Sequence, residues 1–186
     1  MNVLFITGSA RKNGITSKLC DIVGSSISDA APDTKLTFIR PYGLKIEHCC
    51  GCGSCSQSGK CSVDDDMCCV YRAVEENDMI VLAVPIYFSG PSSVIKQVID
   101  RFQCVWAAGS RMRNKAVALI VAGGHDSPVF SNTISITKAF AITIGATWIG
   151  ELTVSGTDLI NEIPDDLAMK TRNFGTEILS AYLRSV

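Results

Sequence analysis

The sequence predicts a doubly wound α/β sheet, on three observations. Strand-length apolar runs alternate with helical periodicities along most of the 186 residues. Two of the runs, 80–84 and 117–121, are apolar on both faces, as central parallel strands covered by helices are. The composition, 47% apolar and 19% charged, is enough for one well-buried core. In chain order, 3–6 is a short apolar run ended by Thr7-Gly8-Ser9, and 16–27 places Leu19, Ile22, Val23 and Ile27 on one side of a helix. Then 35–40 reads as a strand, 67–74 as a helix, 79–84 as a strand, 93–106 as a helix, 116–121 as a strand and 130–144 as a helix. A fifth strand over 148–154 and a last helix over 164–183 follow, with Pro164 suited to a first helical turn.

Charge and cysteine usage narrow the classes. Seventeen basic against 18 acidic residues give a net charge of −1, which excludes a charged tail protein and gives no electrostatic reason for a nucleic-acid partner. No stretch approaches the ~18 uninterrupted apolar residues of a membrane span, and 1–7 lacks the basic region of a signal peptide. The expectation is a cytoplasmic, soluble protein with no membrane and no nucleic acid, acting on small molecules or other proteins. There are nine cysteines, an odd number for a disulfide framework in a chain that needs no staples. Seven of them fall between Cys49 and Cys69. A single domain over 1–186 is expected, with one long irregular stretch at 41–66, and loops of that length inside compact domains are usually functional.

In a doubly wound sheet the ligand crevice lies beyond the carboxyl ends of the strands. The segment after the first strand, 8–16, offers backbone N–H groups entering a helix, two hydroxyls, an Asn amide and a guanidinium, all donors to a phosphate. Five residues between Gly8 and Gly14, followed by Ile15-Thr16, exclude a Walker A loop, and the dinucleotide glycine fingerprint is missing; a plain turn with an N-cap is the other reading. After the third strand, 85–91 carries aromatics between prolines and a glycine, fit to line a flat ring or to serve as a core lid. After the fourth, Gly123 and Gly124 allow close backbone approach to a ligand, and His125 reads as a polar loop residue. No side-chain set stands out as a nucleophile with its base, so no catalytic residue is assigned.

These segments, Gly-Ser-Ala-Arg-Lys-Asn-Gly-Ile-Thr at 8–16, Pro-Ile-Tyr-Phe-Ser-Gly at 85–90 and Ile-Lys-Gln-Val-Ile-Asp-Arg at 95–101, resemble the flavodoxin-like NAD(P)H-dependent FMN reductases and the related iron-sulfur flavoproteins. The resemblance implies a five-stranded parallel sheet in the order 2-1-3-4-5 with helices on both faces. It also implies FMN, its phosphate at Ser9, Arg11, Asn13 and Thr16, and its ring against Pro85, Ile86, Tyr87, Phe88, Ser89 and Gly90. Ala10 stands where the family usually has Pro, and Ile15 where it usually has Asn, which removes a polar side chain from the phosphate loop.

The spacing Cys49-x2-Cys52-x2-Cys55-x5-Cys61 places four thiols within 13 residues, with Gly51 and Gly53 letting the chain wrap. Four thiolates suit a [4Fe–4S] cluster, and the spacing resembles the cluster motif of the iron-sulfur flavoproteins. Free or redox-active thiols are an alternative, as is zinc, although a four-cysteine zinc site more often shows two knuckles farther apart. Cys50, Cys68 and Cys69 are read as non-ligands, Cys20 and Cys104 as core thiols, and Asp64-Asp65-Asp66 as the start of a helix. Trp106 and Trp148 are read as core or interface residues.

Three functions follow. The first is an FMN-dependent electron-transfer oxidoreductase in which a [4Fe–4S] cluster, reduced by a ferredoxin-type donor, passes electrons to FMN and on to a small acceptor such as a quinone. The second is a cluster-free reductase in which NAD(P)H reduces FMN directly. The third is a non-enzymatic flavin-binding carrier or sensor. The resemblance further implies a homo-dimer or homo-tetramer.

Overall fold

The computed structural model describes residues 1–109, 112 and 115–185. Strands β1 (Asn2–Thr7), β2 (Lys35–Ile39), β3 (Met79–Tyr87), β5 (Ala116–Ala122) and β6 (Thr147–Val154) pair in parallel in the order β2-β1-β3-β5-β6. A two-residue β4 (Gly90–Pro91) pairs antiparallel with β3 alone, so the main sheet has the expected order.

Period-two alternation sends each central strand's side chains to two cores. Val3, Phe5, Val81, Ala83, Ala118 and Ile120 meet α1 (Ile15–Ala30) and α7 (Asp165–Ser185) on one face. Leu4, Ile6, Leu82, Val84, Leu119 and Val121 meet α3 (Met67–Glu76), α4 (Ser93–Arg101), α5 (Gln103–Ala107) and α6 (Ser131–Ile144) on the other. Each fully buried aliphatic or aromatic side chain contributes about 1.5–3 kcal/mol. A one-residue slip would exchange the two sets, so the register is tightly specified. The carboxyl ends of β1, β3 and β5 then bring 8–14, 87–90 and 123–128 to one edge of the sheet.

Four local expectations need correction. Strand β3 runs on through Pro85, Ile86 and Tyr87, and the chain reverses at Phe88 and Ser89 into β4, so 85–91 is a hairpin rather than a loop. The helix expected over 93–106 breaks at Phe102, whose ψ is 2°. That turn buries the Phe102 ring edge-on between Tyr71 and Phe140, at centroid separations of 5.2 and 5.0 Å. The stretch 41–66 contains a 3₁₀ turn, Pro41–Gly43, and a five-residue helix, α2 (Ser54–Ser58). Of the two readings of Trp106, core or interface, its 64% exposure removes the first, whereas Trp148 is half-buried and donates its indole N–H to Glu151 Oε2 at 2.9 Å.

Candidate functional site

Two cavities hold most of the candidate residues. The first, about 140 Å³, is lined by Ser9, Arg11, Gly14, Ile15 and Thr16 from the β1–α1 loop, Pro85, Ile86 and Tyr87 from β3, and Ala122, Gly124, Thr157 and Asp158 from the far side. Whole small-molecule pockets usually measure about 300–1,000 Å³, so this enclosed volume takes one end of a ligand. At that end the sixteen-residue α1 begins at Gly14 with no side-chain cap and no acidic residue in its first turn. Its open N–H groups and positive dipole end favour an anion. The Ser9 and Thr16 hydroxyls are buried beside it, and Arg11 adds a charge.

The loop shapes itself. The inward-turned carbonyl of Arg11 accepts from Ser9 Oγ at 3.0 Å, Ser17 Oγ at 3.2 Å and the Gly14 N–H at 3.2 Å. Arg40, at the end of β2, donates to the carbonyls of Ser9 and Ala10, each at 3.2 Å. Gly8 has to be glycine, because a Cβ there would run into the side chains of Ile95 and Ser92. The start of the loop is therefore pressed onto the N-terminal end of α4.

Opposite, the loops after β5 and β6 are zipped together. The Thr157 N–H donates to the Gly123 carbonyl at 3.0 Å and the Asp158 N–H to that of Gly124 at 3.2 Å. A Cβ on Gly124 would collide with the Asp158 carboxylate. On the β3 side, Tyr87 stands half-exposed at the rim, and Phe88 and Ser89 turn the hairpin at φ of 50° and 60°. Positive φ at both central residues is what a tight hairpin needs, normally from Gly, Asn or Asp. Phe88 projects into solvent, and with Asn13, Ser89, Gly90 and Gly123 it lies outside the lining. Ala122, Thr157 and Asp158 are lining residues the sequence reading missed. Their only signal was position, at or beyond the carboxyl end of a strand.

The second cavity, about 760 Å³, has a thiol wall and an apolar wall. Cys49, Cys52, Cys55 and Cys61 form the first together with Cys50, and Ile99, Phe102, Trp106, Ile136 and Phe140 form much of the second. Gly51 and Gly53, at φ of 66° and 75°, supply the left-handed residues that turn the chain between the cysteines. Among the described residues no three His, Cys, Asp or Glu side chains stand close enough to hold one metal ion. The four thiols share a wall without converging on a point. Cys52 Sγ lies 3.4 Å from both Ser54 Oγ and Ser62 Oγ. These contacts with Ser54, then Ser62, lower the pKa of the Cys52 thiol from the ordinary 9.0 to about 6. Cys104, buried on α5, reaches the same cavity from the helix side, and Cys61, Cys68 and Cys104 also line a smaller neighbour of about 340 Å³. Cys68 and Cys69 are exposed on the first turn of α3, their sulfurs 4.0 Å apart, and the neighbouring Cys68 raises the pKa of Cys69. Cys20 is buried in the core beneath α1.

The ends of the thiol loop are joined. The Lys45 N–H donates to Asp66 Oδ2 and the Glu47 N–H to Asp65 Oδ2, both at 2.8 Å, and Gln97 Nε2 reaches the Ile46 carbonyl at 2.5 Å. Asp65 also accepts the Met67 N–H at 3.0 Å, the expected helix-start role, but its main partner is Arg101 of α4, at 2.6 and 3.0 Å. The Arg101 guanidinium and these N–H groups hold the Asp65 carboxyl below its ordinary pKa against the opposing effect of burial. Arg101 had one signal in the sequence: with Ile95 and Val98 it makes an i, i+3, i+6 series on the buried face of α4.

Residues 1–158 match the family described as NADPH-dependent FMN reductase. The chain belongs to that family. As a member of the FMN reductase family it is a flavin-dependent oxidoreductase, and FMN is the family's flavin. An iron-sulfur flavoprotein of Methanocaldococcus jannaschii is 27% identical over 187 residues, covering 96% of this chain and 95% of its own. One of Archaeoglobus fulgidus is 28% identical over 184 residues, covering 98% and 80%. Among solved structures, a flavone reductase superposes with a TM-score of 0.73 at 19% identity over 98% of this chain, which spans 63% of that longer protein. The NAD(P)H:quinone oxidoreductase of Methanothermobacter marburgensis gives 0.70 at 13% identity, covering 94% of this chain and 97% of its own. These two likenesses show the fold. No helix among the described residues is long and apolar enough to cross a membrane.

Proposed function

We propose that this FMN reductase family member carries two redox groups, FMN at the 8–16 loop and a [4Fe–4S] cluster at Cys49, Cys52, Cys55 and Cys61, and passes electrons between them to a small acceptor. The observation that carries the reading is the placement of all four thiols on one cavity wall beside α4, the helix whose other end abuts the phosphate loop. Nine residues of helix amount to about 14 Å. The relatives named iron-sulfur flavoproteins support it. When bound, the cluster exchanges single electrons and the flavin one or two, which together convert between one- and two-electron chemistry.

The chain's own part is binding and orientation. The uncapped start of α1, with Ser9, Thr16 and Arg11, neutralises a phosphate dianion. Pro85, Ile86 and Tyr87 offer a flat, partly apolar wall for a ring, and Ile15 adds an apolar contact where a polar one is usual. Cys52, its pKa lowered by the neighbouring serines, gives up its proton to a metal more readily than an ordinary thiol. A ferredoxin-type protein would serve as donor and a quinone-like molecule as acceptor, in a homo-dimer or homo-tetramer.

A second reading, direct reduction of FMN by NAD(P)H with the thiols incidental, is favoured by the family's description and by the unconverged sulfurs. Anaerobic purification with iron, acid-labile sulfide and FMN assays separates the two. The first reading expects about four iron and four sulfide per chain, lost in Cys52→Ala while FMN stays. FMN without iron or sulfide after anaerobic reconstitution would leave the second.

A further inference from the structure

Three backbone bonds join the loops after β5 and β6. The Gly156 N–H donates to the His125 carbonyl at 2.8 Å, the Thr157 N–H to that of Gly123 at 3.0 Å and the Asp158 N–H to that of Gly124 at 3.2 Å. Gly156, at φ of 67°, lets the second loop turn there. This pairing lays the Asp158 carboxylate on the backbone of Gly124, where a Cβ would run into Oδ2 and Cγ. Gly124 is not at positive φ, so its backbone makes no demand for glycine. The missing side chain is space kept for the carboxylate.

Asp158 lines the 140 Å³ cavity together with Ser9, Arg11 and Thr16, and among the described residues no cation pairs with its carboxylate. It is exposed, so this acceptor is open to whatever enters. The cavity therefore asks two things of a ligand. The guanidinium, the hydroxyls and the N-terminal end of α1 favour an anion, and the carboxylate across from them disfavours one. A ligand that meets both carries a hydrogen-bond donor close to its anionic group. A phosphate ester of a polyol does so, and a bare dianion does not. In FMN the phosphate is joined to the ring by a chain that bears free hydroxyls, whereas the ring N–H lies at the other end of the molecule.

We propose that Asp158 is a specificity-determining residue of the flavin site: its carboxylate accepts a hydrogen bond from a hydroxyl of the chain next to the phosphate, and Gly124 makes room for it. The proposal rests on the reading that FMN occupies this cavity and is independent of the cysteines. An O–H donating to a carboxylate forms a charge-assisted bond, stronger than one between neutral groups. Removing the carboxylate loses that bond and also relieves the phosphate of a like charge, so a flavin without phosphate reads the bond most cleanly.

The test is flavin binding, followed by quenching of flavin fluorescence, with three probes: FMN; riboflavin, which keeps the hydroxyls without the phosphate; and lumiflavin, which has neither. Asp158→Ala is expected to weaken riboflavin about tenfold or more, the worth of a hydrogen bond to a charged group. FMN is expected to weaken by a smaller factor and lumiflavin not at all. Gly124→Ala, whose new methyl pushes the carboxylate aside, is expected to match Asp158→Ala on riboflavin, and the two combined to cost little more than either alone. Unchanged riboflavin affinity, an equal loss for lumiflavin, tighter binding of FMN in Asp158→Ala, or full additivity of the two substitutions would each overturn the proposal. Should Gly124→Ala fail to fold, the comparison of riboflavin with lumiflavin in Asp158→Ala still decides. Wild-type protein that binds no FMN would defeat the flavin reading and the proposal with it, whereas wild-type binding with unaltered affinities in Asp158→Ala would defeat the proposal alone.

Discussion

The 8–14 loop and the thiol loop leave the sheet close to the same helix and are held in opposite ways. Residues 8–14 are held by several separate bonds, with the Ser9 and Ser17 hydroxyls and the Gly14 N–H converging on the Arg11 carbonyl and the Gly8 N–H bonded to the Ala83 carbonyl at 2.8 Å. Residues 48–64 have few such bonds, and their position depends on a neck where Arg101, Asp65 and Gln97 meet Ile46 and Glu47. A site held by several separate bonds tolerates side-chain changes one at a time. A site hung from one ion pair loses its geometry together.

The largest effect is therefore expected at the neck. Arg101→Met leaves the Asp65 carboxylate buried and unpaired, and removing one partner of a buried pair costs about 3–5 kcal/mol. A urea melt of the cluster-free protein measures it, and a loss under 1 kcal/mol would break the contrast. On the other side, Arg11→Ala should weaken FMN binding by about 1.5–3 kcal/mol, the worth of hydrogen bonds to a charged group, without changing the melt. Isothermal titration with FMN reads it directly, and unchanged affinity would remove Arg11 from the site. At the hairpin, Phe88→Gly exchanges a positive-φ Phe with an exposed ring for the residue that suits the turn, and should stabilise by about 1 kcal/mol. A destabilisation there would mean that the ring has a partner. The smallest effect is a pH profile. In cluster-free protein the alkylation rate of Cys52, followed by mass spectrometry, should rise through pH 6 and level off above it, because the thiolate is full beyond its lowered pKa of about 6. A rate still climbing at pH 8 would show an ordinary thiol.

Much of the frame was legible because it depends on local pattern. The two-faced apolar runs placed β3 and β5, and the glycines, hydroxyls and Arg of 8–16 marked an anion loop at the end of β1. The unread parts depend on contacts between distant residues. Arg101 meets Glu47 and Asp65 across 54 and 36 positions, and only its spacing from Ile95 and Val98 hinted at burial. The break at Phe102 was hidden because apolar residues continue through it, and what turns the chain is an aromatic sandwich with Tyr71 and Phe140. Asp158 reaches the 140 Å³ cavity because its loop pairs with Gly123 and Gly124, more than thirty residues earlier. Pro85 and the Ser89-Gly90-Pro91 run read as loop, yet the residues between them complete a strand and its return.

The central claim is that electrons pass between the thiol loop and the flavin. Anaerobic stopped-flow mixing of the FMN-loaded, iron-containing protein with reduced ferredoxin, beside the Cys52→Ala variant, tests it most directly. The account predicts bleaching of the iron–sulfur absorbance before that of FMN in the wild type, and loss of ferredoxin-driven FMN reduction in the variant. Equal rates of FMN reduction in both proteins would contradict it.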